Sequence, residues 1–392
     1  MDDFNTFFDR SNTNAEKYRL REKLYGTTDV LPMWVADMDI ATPQFIIDDL
    51  RYRLTHPILG YEEFPNSAKN AQINWMKRNH NFSLELEDIF YSPSVVTSIN
   101  LAIKTFTYKG DEVIVQPPVY FPFYSSITNN HRKILRNPLK KNIDGDYSFD
   151  LDDLKSKITP KTKLLLLCSP HNPVGRVWSK DELKELSEIC IDNDIKIFAD
   201  EIHSDLVYGG FKHTPIATLS KEVSNITITA LGVGKTFNLA GIATSTVVIQ
   251  NKHLRDKFKK VYNSFHLAEG NIFGHIAFYS AYINGQKWRD DLMVHLNNNI
   301  NKLYTMLEKH KDKIKFNKPQ GTYLVWLDCS GMNLSDKQLR NFFVNNVKLG
   351  LSAGTSFGKE GRQYMRMNIA VPETTMDEAI NRLENGLTNY KD

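Results

Sequence analysis

The stretch Ile195-Lys196-Ile197-Phe198-Ala199-Asp200-Glu201-Ile202-His203-Ser204-Asp205 is the part of the chain that says most about the fold. It opens with a short run that is apolar on both faces and closes with carboxylates. Such a run is typical of a strand buried inside a parallel sheet. Ligands of open α/β sheets bind at the carboxyl ends of the strands. We therefore predict a buried strand at Ile195–Ala199 that delivers Asp200 to a ligand site.

Comparable runs recur on both sides of this stretch and alternate with helical patterns. The other predicted strands of this region are Glu112–Val115, Lys163–Leu167, Ile226–Thr229 and Ser245–Ile249. One predicted helix places Ile99, Ala102, Ile103 and Phe106 on a single apolar face, and a second covers Asp181–Ile191. This alternation predicts an α/β domain with a mostly parallel sheet.

The last third of the chain has a different character. Its predicted elements are a helix at Lys287–His310, a strand at Thr322–Trp326, a helix at Asp336–Asn346, a strand at Tyr364–Asn368 and a closing helix from Met376. A chain of 392 residues is also long for one core. We predict a large domain at residues 45–285, and a smaller α+β domain made of residues 1–44 and 286–392.

Composition argues against several classes of partner. The 49 basic and 46 acidic residues leave a net charge of +3, which gives no reason to expect nucleic acid or an anionic membrane. No apolar run approaches the roughly 20 residues that span a bilayer, and the N-terminus does not resemble a signal peptide. The three cysteines have no metal-ligand spacing, so we expect no metal site and a cytoplasmic location.

A lysine follows the predicted strand at Ile226–Thr229. It lies in Gly234-Lys235-Thr236-Phe237-Asn238-Leu239-Ala240-Gly241. A single lysine is usually a surface residue, but apolar neighbours such as Val233 and Phe237 remove water from this one. Loss of solvation lowers the pKa of a lysine and makes its amine nucleophilic.

Four further motifs stand after strands or before a helix, and each also has a simpler structural explanation. Asp200 can cap a helix, Asn172 can form a turn, Tyr120 can pack in a core, and every helix has an N-terminus like that at Ser92–Thr97. The same N-terminus offers free N–H groups to an anion. Arg366, on the residues alone, indicates a surface ion pair.

The order and spacing of these motifs resemble fold-type I pyridoxal-phosphate (PLP) enzymes, the aminotransferase class I/II superfamily. Within it the chain is similar to the cystathionine β-lyase branch of C–S lyases. The closer likeness is carried by Met33–Asp39, Asp200–Asp205 and Lys235–Gly241, and the resemblance extends from Met33 to Val371. It implies the aspartate aminotransferase fold and PLP as cofactor.

The resemblance also implies roles for individual residues. Lys235 would carry the cofactor as a Schiff base, Asp200 would pair with the pyridine nitrogen, and Tyr120 would stack on the ring. The implied cofactor contacts are Lys235, Asp200, Asn172, Tyr120, His203, Tyr61, Thr236 and the backbone N–H groups of Val95 and Val96. The implied substrate contacts are Arg366 for the α-carboxylate, Ala36, Asn172 and Tyr61, and the implied catalytic residues are Lys235, Tyr61, Tyr120 and Asp200. Tyr61 would come from the neighbouring subunit of a homodimer with shared active sites.

The sequence departs from the pattern of these enzymes at three positions. Gly232 and Gly234 stand where this branch often has hydroxyl residues, so the phosphate must rely on other groups. Ala243 stands where typical aminotransferases place a phosphate-binding arginine. The missing arginine favours the lyase branch.

The activity that the resemblance implies is α,β-elimination on a cysteine S-conjugate, which yields a thiol, pyruvate and ammonia. An aminotransferase is the first alternative and a regulatory protein of the PLP fold is the second. The preferred conjugate stays open among cystathionine, S-alkyl cysteines, cysteine and cysteinyl peptides. Aromatic loops at Tyr61–Phe64 and Tyr120–Tyr124 are hypothesised to line a pocket for the leaving group.

Overall fold

The computed structural model describes residues 3–390. The α-helices of this range are α1 (Glu16–Arg19), α2 (Arg21–Tyr25), α3 (Gln44–Leu54), α4 (Asn66–His80), α5 (Val95–Phe106), α6 (Pro122–Asn129), α7 (Leu151–Lys157), α8 (Lys180–Asp192), α9 (Lys221–Ile226), α10 (Lys252–Ser264), α11 (Ile272–Asn284), α12 (Gln286–Glu308), α13 (Asp336–Asn341) and α14 (Glu373–Asn389). The strands are β1 (Leu31–Pro32), β2 (Ile89–Ser92), β3 (Glu112–Val115), β4 (Lys133–Arg136), β5 (Lys140–Lys141), β6 (Tyr147–Ser148), β7 (Thr162–Cys168), β8 (Lys196–Asp200), β9 (Thr227–Leu231), β10 (Ser245–Val248), β11 (Leu324–Asp328), β12 (Leu349–Gly350), β13 (Ser352–Ala353) and β14 (Tyr364–Asn368). No helix between residues 3 and 390 is both long enough and apolar enough to cross a membrane.

A seven-stranded sheet forms the centre of the molecule, in the order β2-β10-β9-β8-β7-β3-β4. The pairs from β9 to β4 are all parallel, whereas β10 is antiparallel to both of its neighbours. Cys168 of β7 and Ala230 of β9 are both register partners of Asp200 in β8. The mostly parallel sheet predicted from the sequence is therefore confirmed, and the ends of three strands meet beside Asp200.

All five strands predicted for this sheet are present, within a few residues of the expected bounds. The pattern missed β2 and β4, which lie at the two edges of the sheet. β4 begins with Lys133 and ends with Arg136, and none of its residues is fully buried. It therefore lacks the continuous apolar run of the central strands. This explanation does not extend to β2, of which three of the four residues are buried.

The C-terminal third forms a smaller antiparallel sheet, in the order β11-β14-β13. The predicted strand at Tyr364–Asn368 is confirmed, and the one expected at Thr322–Trp326 begins two residues later. The helix expected at Asp336–Asn346 ends as α13 at Asn341 and continues as a π-helical turn, Phe342–Val347.

The N-terminal residues lie against this C-terminal part, because β1 pairs in parallel with β12. One apolar cluster joins Phe4, Trp75 of α4, Phe278 of α11 and Leu387 of α14, so the core is continuous across the predicted domain boundary. The boundaries themselves stay a prediction. Residues 1–2 and 391–392, which were assigned to the small domain, lie outside the described residues.

Two glycines allow the loop between β13 and β14 to fold back on itself. A Cβ added at Gly354 would lie 2.1 Å from the carbonyl oxygen of Gly361 and 2.6 Å from that of Tyr364. These are backbone atoms and cannot rotate out of the way. The close approach sets the position of Phe357, whose ring lies 4.7 Å from the guanidinium carbon of Arg366.

We predict that Gly354→Ala lowers the free energy of unfolding by about 2 kcal/mol or more, because overpacking against fixed backbone costs about that much. Urea denaturation of the variant and the wild type measures the difference. Gly209→Ala is the matched control, since a Cβ there meets nothing within 4 Å. Equal stability of the two variants would contradict the packing argument.

Candidate active site

Lys235 lies in the loop that follows β9, at the carboxyl edge of the central sheet. Its Nζ donates a hydrogen bond to the carbonyl oxygen of Ala36, at 2.7 Å. Removal from water, reinforced by the positive charge of Arg366, lowers the pKa of the Lys235 amine to about 8. The lowered pKa predicted from the apolar flanks is therefore found, and a useful fraction of the amine is neutral near physiological pH.

Asp200 ends β8 and is buried, with 4% of its surface exposed. Its Oδ1 accepts a hydrogen bond from the Ile202 N–H at 3.3 Å, and it makes no ion pair with any residue from 3 to 390. Burial raises the pKa of this carboxyl to about 7. Residues 201–205 form turns rather than a helix, so the helix-cap explanation for Asp200 is wrong. A buried carboxyl that lacks a cation is suited to accept a positively charged N–H from a ligand.

Arg366 projects from β14 and is also buried, so the expectation of a surface ion pair is wrong. Its Nη1 donates to Asn172 Oδ1 at 3.0 Å, and its Nη2 donates to the Trp34 carbonyl at 2.7 Å. Its Nε has no partner among the described residues, and no carboxylate there pairs with it. Burial lowers the pKa of the guanidinium to about 10, which still leaves it charged at neutral pH. An uncompensated buried guanidinium is a receptor for a ligand carboxylate.

Asn172, Tyr120 and His203 lie around the same crevice. The Asn172 amide uses its oxygen on Arg366, and its NH₂ has no protein acceptor in the described part of the chain. Burial, with the negative charge of Asp200 close by, raises the pKa of the Tyr120 hydroxyl to about 12. Burial and the nearby positive charges of Lys235 and Arg366 hold the pKa of His203 well below its usual value, so its imidazole is neutral.

The N-terminus of α5 supplies the anion-binding geometry that the sequence predicted. Ser94 caps the helix by accepting a hydrogen bond from the Thr97 N–H at 3.1 Å. Val95 and Val96 are the first two helical residues, so their N–H groups have no acceptor within the helix. These two donors and the positive end of the helix dipole suit a phosphate group.

Two of the expected residues lie elsewhere. Thr236 is fully buried and its hydroxyl donates to Asp205 Oδ2 at 3.1 Å, so the expectation that it binds the phosphate is corrected. Tyr61 is 95% exposed and contacts none of the crevice residues of its own chain. The structure of one chain therefore leaves Tyr61 outside the site.

The two glycines before Lys235 differ in their surroundings. A Cβ at Gly232 would lie 3.0 Å from both Ile202 and Ser245, so a larger residue there would require these neighbours to shift. A Cβ at Gly234 would meet nothing closer than 3.8 Å. Close packing explains the missing side chain at the first position, and the second faces open space.

Residues 34–38 form one wall of the site. Sequence reasoning missed the residues that hold this wall in place. The Tyr323 hydroxyl donates to the Ala36 carbonyl at 2.8 Å, and the Asn368 amide donates to the carbonyls of Val35 and Asp37. Asn368 lies two residues after Arg366 in β14, and thus on the same face of the strand. That spacing was the available signal for Asn368.

The arrangement can bind a molecule with several distinct polar groups. It offers an amine, an unpaired carboxyl, a free amide NH₂ and a helix N-terminus, which match the carbonyl, ring nitrogen, phenolic oxygen and phosphate of pyridoxal phosphate. The guanidinium of Arg366 remains for a substrate carboxylate. No group of three or more metal-ligating side chains occurs within residues 3–390.

Comparisons with known proteins show the family of the chain. The family described as "Aminotransferase class I and II" matches residues 29–383. Cystathionine beta-lyase PatB of Bacillus subtilis (strain 168) is 39% identical over 97% of this chain and 98% of its own. Among solved structures, cystalysin from Treponema denticola, which contains a pyridoxal 5'-phosphate cofactor, is 32% identical with a TM-score of 0.96 over all of both chains. The PLP-bound C–S lyase from Staphylococcus hominis is 31% identical with a TM-score of 0.91 over the same extent.

The pKa of Asp200 makes a prediction for the protein freed of bound ligands. A carboxyl whose pKa is raised from 3.8 to about 7 favours its protonated form in the folded state, so stability is lost as the pH rises through that interval. In Asp200→Asn this titration is absent. We therefore compare the free energy of unfolding of the variant with that of the wild type. We expect the difference, variant minus wild type, to increase by up to about 1.4 kcal/mol for each pH unit from pH 4 to pH 7.

Urea denaturation at a series of pH values provides the measurement. Asp192→Asn, at an exposed position, is the control and should show no such trend. A pH-independent difference between Asp200→Asn and the wild type would mean that the carboxyl is not held in a charge-excluding environment.

Proposed function

Because the chain belongs to the aminotransferase class I and II family, we propose that it is a pyridoxal-phosphate-dependent carbon–sulfur β-lyase that acts on cysteine S-conjugates. Its products are a thiol, pyruvate and ammonia. The observation that carries the proposal is the buried, unpaired Asp200 carboxyl beside Lys235, in a chain that matches a cystathionine β-lyase over almost its full length.

Pyridoxal phosphate is the cofactor. When bound, it supplies a carbonyl carbon that links covalently to amines and a ring that accepts the electron pair left at the substrate Cα. Lys235 provides the amine for this link. Asp200 holds the proton on the ring nitrogen, since a negative carboxylate there stabilises the positive charge that the ring needs.

Lys235 then acts as the base that removes the Cα proton of the substrate. A base must be unprotonated to act, and a pKa of about 8 meets this requirement near neutral pH far better than the usual value of 10.5. The charge of Arg366 contributes to the lowered pKa, so the carboxylate-binding residue also tunes the base.

Arg366 and Asn172 fix the substrate by its α-carboxylate. The guanidinium is already oriented by hydrogen bonds to Asn172 and to the Trp34 carbonyl, so little rotational freedom is lost when the substrate binds. Fixed orientation aligns the bond that breaks with the ring system. Tyr120, whose pKa of about 12 keeps its hydroxyl protonated at neutral pH, is the group within one chain that can donate a proton to the departing sulfur.

A homodimer with shared active sites is part of the proposal. Large apolar side chains are exposed along one segment of the surface: Tyr52, Leu54, Ile58, Leu59 and Tyr61. Exposed apolar groups in such density indicate an interface. We infer that a second copy of the chain covers this segment and that Tyr61 completes the partner's site.

A cytoplasmic location is also part of the proposal. It is supported by the cysteines: Cys168, Cys190 and Cys329 are buried and none forms a disulfide.

The direct test is release of pyruvate and free thiol from cystathionine and from S-methylcysteine, with PLP present and no keto acid added. We expect both products in equal amounts, and we expect Lys235→Ala to abolish their release because it lacks the base. Amino-group transfer that requires an added keto acid would instead identify an aminotransferase. Turnover that survives in Lys235→Ala would overturn the assignment of the base.

Mixed dimers test the shared site. Tyr61→Ala and Lys235→Ala chains, each inactive alone, are unfolded together and refolded, or co-expressed. If Tyr61 acts in the partner's site, half of the dimers are hybrids with one intact site each, and activity returns to about a quarter of the wild-type value. Mixing Lys235→Ala with Asp200→Ala is the control: both residues belong to the site of one chain, so each site of a hybrid lacks one of them and no activity returns. If the mixture of Tyr61→Ala and Lys235→Ala chains stayed as inactive as the control, Tyr61 would not act in the partner's site.

A further inference from the structure

A cluster of four charged residues stands behind the wall of the active site. Arg10 pairs with Asp37 and with Asp39, each at 2.7 Å, and Lys17 pairs with the same two carboxylates at 2.9 and 3.0 Å. The Lys17 side chain is completely buried. Two positive and two negative charges alternate around a closed ring, so the cluster, which we call the Arg10–Asp39 cluster, has no net charge.

The cluster also holds the backbone of the wall. Lys17 Nζ donates to the Asp37 carbonyl at 3.0 Å, and Arg10 Nη1 donates to the Met38 carbonyl at 3.2 Å. Residues 33–40 contain neither helix nor strand. Backbone hydrogen bonds anchor the segment at Met33, which pairs with Gly350 and Asn368, and at Asp39, which donates to Ala370. Between these anchors, residues 34–38 make no backbone–backbone hydrogen bond, so their position depends on contacts from side chains.

The opposite face of this segment contacts the reactive groups directly. The Trp34 carbonyl accepts a hydrogen bond from Arg366, and the Ala36 carbonyl accepts one from Lys235. A shift of the segment therefore moves the acceptors that orient the carboxylate-binding guanidinium and the amine. Arg366 has few alternatives, since its remaining partners are Asn172 and a longer contact of 3.3 Å to Ser352.

We propose that Arg10, Lys17, Asp37 and Asp39 are positioning residues, which hold the wall of residues 34–38 so that Arg366 is oriented for the substrate α-carboxylate. None of the four touches the substrate. They act through the carbonyls of the wall. The inference rests on the proposed function, because it assigns the ligand of Arg366 as an amino-acid carboxylate.

A purely structural role, in which the cluster fastens the N-terminal segment, predicts a different outcome on perturbation. Loss of a fastening lowers stability but leaves ligand affinity in the folded protein unchanged. Loss of positioning, in contrast, weakens the binding of a carboxylate to the folded protein. It leaves the rate of the chemical step largely unchanged. The two roles are therefore separable by experiment.

Arg10→Met is the principal variant, because Arg10 is partly exposed and its loss is better tolerated than that of Lys17. Arg255→Met is the matched control. Arg255, in α10, likewise pairs with two carboxylates, Glu87 and Asp88. These carboxylates precede the first residue of β2, whereas Ser92 and the N-terminus of α5 follow its last. Arg10→Lys, which keeps the charge, is the conservative variant, and Lys17→Met is a second disruption of the same cluster.

The probe is methylthiopropionate, a carboxylate that has no amine and so cannot link to the cofactor. Calorimetry on the holoenzyme measures its dissociation constant, urea denaturation measures stability, and S-methylcysteine kinetics give KM and kcat. We expect Arg10→Met to weaken binding about tenfold, which corresponds to about 1.4 kcal/mol, and to raise KM more than it lowers kcat. Arg10→Lys should recover most of the affinity, and Arg255→Met should bind as the wild type does.

Unchanged affinity in both Arg10→Met and Lys17→Met, or an equal loss in Arg255→Met, would overturn the inference. If Lys17→Met does not fold, Arg10→Met and Arg10→Lys decide the question between them. Failure of the proposed function is distinguishable, because it appears in the wild type as absence of thiol and pyruvate, whereas failure of the inference appears only in the comparison of variants.

Discussion

Burial of ionisable groups without counter-ions is the physical constraint on which the rest of the structure depends. Asp200 and Arg366 are buried and Lys235 is half-buried, and in the described part of the chain none of the three forms an ion pair. Such burial is unfavourable unless hydrogen bonds compensate for lost solvation. The protein supplies backbone carbonyls to the two cations and a backbone N–H to the carboxyl, which are dipoles and not charges. The pKa values of all three groups consequently move towards neutrality. The pKa of the Lys235 amine, about 8, lies in the range that proton transfer near neutral pH requires.

The fold creates this constraint by bringing loop residues to one edge of a parallel sheet. Asp200 ends one strand, Asn172 and Lys235 follow its two neighbours, and the smaller domain contributes Arg366 from β14. The wall at residues 34–38 then closes the crevice from the N-terminal side. Asn238, three residues after Lys235, accepts from the Met38 N–H and donates to the Ile40 carbonyl. The loop that bears the amine is thus joined to the wall by hydrogen bonds from both Lys235 and Asn238.

Much of this could be predicted from the sequence, and the failures have a common origin. The central strands, Lys235 and Asp200 were accessible because apolar runs and the polar residues that follow them are local patterns. Thr236 was misassigned because its hydroxyl is taken by Asp205, which also accepts hydrogen bonds from Trp75 and lies 2.8 Å from His80. Those partners are far away in the chain, and only the tertiary structure brings them together. Tyr61 is exposed and contacts none of the crevice residues of its own chain, so only the resemblance assigned it to the site.

The unpaired charges also explain why ligand binding at the site and the free energy of unfolding are linked in this protein. Under the proposed function, a protonated ring nitrogen would provide the cation that Asp200 lacks, a phosphate would provide the anion for the free N–H groups of Val95 and Val96, and a substrate carboxylate would provide the anion that Arg366 lacks. Each ligand group compensates one buried charge whose loss of solvation is unfavourable in the empty site. A ligand that binds only the folded state also stabilises that state. A side chain at Gly232 would lie tightly against Ile202 and Ser245, which disfavours a hydroxyl residue at that position. Under the proposed function the phosphate end of the site would rely on backbone donors, whose positions are set by the packing of α5 against the sheet and by the Ser94 cap.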